Sequence, residues 1–226
     1  MASGFYVTGT DTEVGKTLVS AALLHALRES GLRAVGMKPV ASGCVLTADG
    51  WRNEDALALQ AASSAPMPAY PLVNPYALPE ATAPQIAAAS AGIQVRLAPI
   101  LAAFEALAAN AAALVVEGVG GWMAPFADGF EQAQLASALH LPVILVVGMK
   151  LGCLNHARLS ERAIAADGLE VAGWIGNLAT PELEFGSEYA ALLRRTLRSP
   201  CLGLLPHGDV REPSRFAAHL RLPAST

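Results

Sequence analysis

Lys16, Lys38 and Lys150 are the three lysines of a chain that otherwise carries its positive charge on twelve arginines. Each stands beside a glycine or proline turn, just after an apolar run of strand character. A lysine ammonium is a compact point charge on a flexible stem, suited to phosphate and carbonyl oxygens, whereas arginine is a planar fork. Lysines kept for strand ends in an arginine-using chain therefore point to chemistry on anionic groups. Lys16 closes Gly9-Thr10-Asp11-Thr12-Glu13-Val14-Gly15-Lys16-Thr17, between the apolar Phe5-Tyr6-Val7 and the amphipathic run Leu18 to Leu27. Strand, glycine loop and helix in that order are the context of a phosphate-binding loop. Backbone N–H groups at the helix start, aided by its dipole, would face the phosphates. Lys16 would reach the β and γ phosphates, and the Thr17 hydroxyl would ligate magnesium. Five residues separate Gly9 from Gly15 where the usual spacing has four, so the loop is expected to be wide at its start.

Two carboxylates accompany the loop. Glu117 closes the apolar Ala113-Leu114-Val115-Val116, at the position where phosphate-loop enzymes hold magnesium directly or through water. A solvated acid at a strand end is the alternative. Asp55, in Asn53-Glu54-Asp55-Ala56-Leu57, starts a helix, where an acid ordinarily serves the dipole or the cap.

Apolar runs at Phe5 to Val7, Ala34 to Met37, Leu114 to Val116, Val143 to Val147, Val171 to Ile175 and Leu202 to Leu205 must position these groups. They alternate with helical patterns over about 16–30, 53–63, 96–110, 131–139, 155–167 and 187–198. Near-continuous apolar strands are what a parallel sheet covered on both faces requires. The expected class is α/β: one phosphate-loop domain over 1–226, three layers (α/β/α) around a mostly parallel sheet. Pro66 to Pro84 reads as an irregular loop over one edge. Ligands of such sheets bind beyond the carboxyl ends of the strands. Those ends carry the phosphate loop, Lys38 to Gly43, Glu117 to Gly121, Gly148 to Gly152, Asn177 and Pro206.

Composition narrows the class. Hydrophobic residues make up 53% and charged residues 15%, yet apolar stretches such as Leu141 to Val147 are too short to span a bilayer. A strand begins by about residue 4, leaving no room for a signal peptide, so a cytoplasmic location is expected. Cys44, Cys153 and Cys201 are widely spaced and resemble neither a metal knuckle nor a redox pair. A net charge of -4 without a basic run argues against a nucleic-acid partner. Trp51, Trp122 and Trp174 are expected in the core.

Five blocks then carry a resemblance: Val7 to Thr17, Lys38-Pro39-Val40-Ala41-Ser42-Gly43, Asn74-Pro75-Tyr76, Val116-Glu117-Gly118-Val119-Gly120-Gly121-Trp122 and Lys150-Leu151-Gly152-Cys153-Leu154-Asn155-His156. In this order, from about residue 4 to about residue 206, the chain resembles the dethiobiotin synthetases of biotin synthesis, whose phosphate loop has the same wide form. The resemblance implies ATP- and magnesium-dependent carboxylation of 7,8-diaminopelargonate with CO2 or bicarbonate. A carbamate forms, ATP phosphorylates it, and the second amine closes the ureido ring, releasing ADP and phosphate. It implies a magnesium site at Thr17, Asp55 and Glu117, and a nucleotide cradle from Glu13, Val14, Gly15, Lys16, Thr17 and Leu18. Gly118, Val119 and Gly120, Asn177, and Pro206, His207 and Gly208 complete that cradle. It assigns Lys16 and Lys38 to the γ-phosphate and carbamate, and Thr12, Glu13 and Ser42 to the diamine and carbamate end. It places the substrate's carboxylate tail on Leu151, Gly152, Cys153, Leu154 and Asn155, with Tyr189, from the partner subunit of a homodimer. On the residues alone, that segment is also an ordinary loop entering a helix with Asn155 as its N-cap, and His207 an exposed loop residue.

The chain departs from the family at Leu178, where an acid commonly follows the asparagine, and at Val119, where alanine is usual. Asn177 alone then offers a side-chain amide to a purine edge. The competing class is a nucleotide-switch ATPase of the partition or septum-site type. Those proteins carry an additional lysine early in the loop, where this chain has Thr10, Asp11 and Thr12.

Overall fold

Alternation along each apolar run explains the layers. In Val143–Gly148 the side chains of Val143, Leu145 and Val147 enter one hydrophobic cluster while Ile144 and Val146 enter another. Leu114 and Val116 part from Ala113 and Val115 in the same way. Both faces of these strands are buried, so no polar alternation is left to read. The computed structural model describes residues 3–178, 180–181, 183–208 and 211–223. Its centre is a six-stranded, all-parallel sheet of β1 (Ser3–Gly9), β2 (Ala34–Met37), β7 (Ala113–Gly121), β10 (Val143–Gly148), β11 (Val171–Asn177) and β12 (Cys201–Leu205), in spatial order β12-β11-β10-β1-β7-β2.

Helices α1 (Lys16–Glu29) and α2 (Glu54–Ala62), with the short α9 (Ser214–Ala217), cover one face. Helices α5 (Leu97–Ala108), α6 (Gln132–Leu139), α7 (Cys153–Ala166) and α8 (Gly186–Thr196) cover the other. The six expected strands and six expected helices all form, within about two residues at each end except that β7 runs on to Gly121, past the expected end at Val116. After β1 the chain passes through α1 to β2 on one side, and after β10 through α7 to β11 on the other. Beyond the carboxyl ends of β1 and β10 the connections diverge, which is where such sheets bind ligands.

Three small pairings were not expected: β3 (Val40–Ala41) with β6 (Tyr76–Ala77), and the hairpins β4 (Val45–Thr47) with β5 (Gly50–Arg52) and β8 (Pro125–Ala127) with β9 (Phe130–Glu131). The expected irregular loop Pro66 to Pro84 instead holds α3 (Tyr70–Val73) and β6 before entering α4 (Pro84–Ser90). Its backbone tracks the segment after β2: Lys38 N–H donates to Val73 O at 2.8 Å, Tyr76 N–H to Pro39 O at 3.1 Å, and Leu78 N–H to Ala41 O at 2.8 Å. Trp122 and Trp174 are buried as expected, but Trp51 lies on the β4–β5 hairpin, 39% exposed. All three cysteines are free thiols.

Candidate active site

Helix α1 begins without a side-chain cap. Gly15 is its N-cap in the left-handed conformation (φ 86°), and no acid lies in the first turn. The first N–H groups and the positive end of the dipole are thus left to an external anion. The wide loop is braced from inside. Lys16 Nζ donates to Asp11 O at 2.9 Å, and an Asp11 carboxylate oxygen accepts from Thr12 N–H at 2.8 Å. Glu13 takes a positive φ of 57°. Lys150, the third lysine, pairs with Asp11 Oδ2 at 3.2 Å on the exposed side of the loop. Asn177, at the end of β11, lies beneath the loop. Its Nδ2 donates to Val14 O at 3.0 Å, so one amide hydrogen expected for a purine edge is already committed, and its Oδ1 is buried without a partner among the described residues. A Cβ on Gly15 would lie 2.1 Å from Asn177 Nδ2, so the residue there must be glycine.

The two carboxylates converge on the second lysine. Lys38 Nζ lies 2.5 Å from Glu117 Oε1, 2.9 Å from Asp55 Oδ2 and 3.2 Å from Gly118 O. Thr17 Oγ1 donates to the same Glu117 Oε1 at 2.9 Å. Glu117 is fully buried and Lys38 is 2% exposed. Burial alone would pull the Lys38 ammonium down, but Glu117 and Asp55 outweigh it and hold the pKa above the ordinary lysine value. Burial would raise Asp55, and Lys38 reverses this, holding its carboxyl below the usual range. Among the described residues Lys16 has no carboxylate in contact, and burial, then the charge of Lys38, lowers it to about 8.

Asp55 stands in the first turn of α2, which Asn53 caps by accepting from Ala56 N–H at 3.2 Å, and its side chain also reaches Lys38. Thr17, Asp55 and Glu117 supply hard oxygens. Glu117 Oε2 is buried without a partner among the described residues, a donor suited to a small divalent cation.

These groups line a cleft of about 860 Å³ with Thr12, Glu13, Gly15, Leu18, Val119 and Gly120. The size suits a nucleotide and a small co-substrate. Other expected positions lie outside its lining. Ser42 is half-buried, and its carbonyl accepts from Asn53 Nδ2 at 3.3 Å. Pro206, His207 and Gly208 are exposed, and the cleft wall from the C-terminal segment is Arg211 to Arg215, which the sequence reading passed over. Leu151 is 84% exposed, Tyr189 packs half-buried against the core, and neither lines the cleft. Helix α7 starts at Cys153 with Gly152 as left-handed N-cap, so Asn155 lies in the first turn and is not the cap.

Gln132, the first residue of α6, was also missed. It is fully buried behind the Gly118 to Gly121 end of β7. Its Oε1 accepts from Val119 N–H at 2.9 Å and from the Tyr6 hydroxyl at 3.0 Å, while Nε2 donates to Val119 O at 2.9 Å and Gly121 O at 2.5 Å. Burial, with Glu117 nearby, pushes the Tyr6 hydroxyl far above its usual pKa and keeps it a donor.

Residues 3–214 match the family described as AAA domain. The chain is 58% identical over 219 residues to the ATP-dependent dethiobiotin synthetase BioD of Xanthomonas oryzae pv. oryzae (strain PXO99A), covering 97% of each protein. It is 62% identical over 205 residues to that of Xylella fastidiosa (strain 9a5c), covering 91% of this chain and 90% of the relative. The chain belongs to the ATP-dependent dethiobiotin synthetase family. Among solved structures it is similar in fold to a ParA family ATPase from Chlorobium tepidum TLS (TM-score 0.59, 11% identity, 96% of this chain and 90% of that one). The MinC:MinD cell division complex of Aquifex aeolicus is similar too (TM-score 0.56, 12% identity, 100% and 99%). At those identities the likeness is one of fold, and membership of the synthetase family rests on the near-full-length sequence matches.

Proposed function

We propose that the cleft binds ATP with magnesium and closes the ureido ring of dethiobiotin from 7,8-diaminopelargonate and CO2. The observation that carries this reading is the buried Lys38 ammonium between Glu117 and Asp55, facing the same cleft as the uncapped start of α1. One substrate amine adds to CO2 to form a carbamate. A carbamate oxygen then attacks the γ-phosphorus, the bond to ADP breaks, and the second amine attacks the carbamoyl carbon and expels phosphate. The first transfer joins two anions, so its barrier is largely electrostatic and is lowered by fixed positive charge.

Lys16 and the α1 N–H groups hold the phosphate oxygens, while Lys38 bridges toward the carbamate. Thr12 and Glu13 stand at the same mouth. Thr17, Asp55 and Glu117 would hold magnesium, which when bound neutralises the β and γ phosphates. Val119 and Gly120 form the facing wall, and Gly118 leads into it. We assign the diamine end to Ser42 with Thr12 and Glu13, and the carboxylate tail to Leu151 to Asn155 and Tyr189 of a second subunit. The exposure of Leu151 and the uncapped start of α7 support that assignment. Among the described residues no helix is long and apolar enough to cross a membrane.

The test supplies ATP, magnesium, labelled bicarbonate and 7,8-diaminopelargonate, and measures acid-stable label in a cyclic urea together with phosphate release, omitting each in turn. Label fixed only when all four are present supports the reading. Phosphate release indifferent to the diamine, with no label fixed, sinks it. Lys38→Ala is expected to lose roughly 100- to 1000-fold in rate, as removal of a preorganised donor commonly does.

A further inference from the structure

The segment after β2 carries Lys38 and Ser42, and helix α2 carries Asp55. One buried tyrosine hydroxyl joins them. Tyr70 Oη donates to Asn74 Oδ1 at 3.1 Å and accepts from Asn53 N–H at 2.8 Å. On one side, Asn74 Nδ2 donates to Lys38 O at 2.7 Å and Tyr76 O at 3.2 Å, spending one amide hydrogen on the backbone of the lysine and the other on its own segment. On the other side, Asn53 caps α2 through Ala56 N–H and reaches Ser42 O through Nδ2 at 3.3 Å. Tyr70, Asn74 and Asn53 are 7%, 3% and 9% exposed, so their hydrogen bonds lie largely out of solvent. The Arg52 guanidinium lies 4.2 Å from the centroid of the Tyr70 ring and holds the ring independently of its hydroxyl.

We infer that Tyr70 and Asn74 are positioning residues that keep the carbamate end of the site, Lys38 and Ser42, in register with the phosphate end at Asp55. The inference rests on the reaction proposed above and goes beyond it. None of the three network residues lines the cleft; Asn74 and Asn53 act through the backbone carbonyls of Lys38 and Ser42, and the Tyr70 hydroxyl acts by tying those two asparagines together. Phosphoryl transfer demands that the acceptor oxygen sit in line with the leaving group, and small displacements are costly. If the two ends drift apart, water competes with carbamate for the γ-phosphoryl group: a water oxygen forms the new P–O bond, ADP leaves, and no ring closes. The signature of lost register is therefore phosphate released without product.

The discriminating quantity is phosphate released per ring closed, which a partly unfolded sample does not alter. Tyr70→Phe keeps the ring and removes the hydroxyl. Asn74→Asp keeps the shape and removes both donated hydrogens. The wild-type ratio should be one. Both variants should raise it at least about twofold while ring closure slows roughly tenfold. The ratio is to be measured well below each variant's melting midpoint, with the midpoint recorded alongside. A ratio that stays at one in whichever of the two variants folds, even with a lowered midpoint, would overturn the inference and leave the pair as fold stabilisers only. A wild-type protein that fixes no label removes the proposed reaction, and this inference with it. A wild type that fixes label while both variants stay coupled removes this inference alone.

Discussion

Among the described residues Lys16 differs from its two counterparts in having no carboxylate in direct contact, so the charges of Glu117, Asp55 and Asp11 do not offset its burial, and the consequence is measurable. Without nucleotide its pKa is lowered to about 8, by burial first and then by the charge of Lys38. A triphosphate beside it stabilises the charged form and must raise that value. Below about pH 7 Lys16 is protonated both before and after binding, so ATP takes up no proton through it. Above about pH 8 the free enzyme has lost the proton and the complex retains it, so binding takes one up. Calorimetry in buffers of different ionisation heat should show uptake rising through this range. Uptake flat from about pH 6.5 to about 9.5 would exclude a depressed Lys16. The lysines, Thr17 and Glu117 were legible because charge at a strand end is uncommon and the glycine spacing is specific. Asp55 was ambiguous because a first-turn helix acid and a ligand look alike in sequence, and the structure has it in the first turn of α2 and in contact with Lys38. Gln132 gave no signal at all, since a glutamine opening a helix reads as surface and only the carbonyls of β7 make it internal.

The end of β7 depends on that glutamine at the level of elements. A Cβ placed on Gly118 would lie 1.7 Å from Gln132 Oε1 and 2.9 Å from the Tyr6 hydroxyl. The strand and the helix start are therefore fitted to a residue with no side chain. Gln132→Ala leaves Val119 N–H and the buried Tyr6 hydroxyl without their acceptor, at a cost of about 1–3 kcal/mol for each group left unsatisfied. Gly118→Ala creates the clash instead. Each change should lower stability in denaturant, and the double variant should cost less than the two together, because shortening residue 132 makes room for the new methyl. Strict additivity would mean that the two positions do not share the space the geometry assigns them. The long strands and helices were readable because their periodicity runs for many residues. The β3–β6 pair and the two hairpins were not, since two or three residues establish no period. Proline-rich 66–84 concealed α3 and β6 for a related reason: its order comes from pairing with the chain after β2, a contact between segments far apart in sequence.

Across the whole molecule, the sheet order sends the chain away from β1 and β10 in opposite directions, and the cleft opens at that divergence. The fold is shared with solved structures only 11–12% identical, so the sheet provides the location and the residues on its edge decide the chemistry. One part of the proposed site lies outside the cleft altogether. Leu151 is 84% exposed at the start of α7, Leu159 follows on that helix at 56%, and Met123 is exposed at 62%. In the proposed dimer a second protein surface would cover such side chains, and the proposed substrate tail ends at Leu151 to Asn155 of that second subunit. Leu159 holds no proposed substrate contact, which makes it the cleaner probe. Leu159→Glu would bury an unpaired charge in such an interface at about 3–5 kcal/mol, weakening dimerisation at least roughly 100-fold. Sedimentation should show the wild type as a dimer and the variant shifted to monomer. Since the proposal places only the tail across the interface, KM for 7,8-diaminopelargonate should rise with dissociation while KM for ATP stays within about twofold. A wild type that is monomeric at concentrations where it is fully active would remove the second subunit from the site. The tail would then have to be held by groups of its own chain.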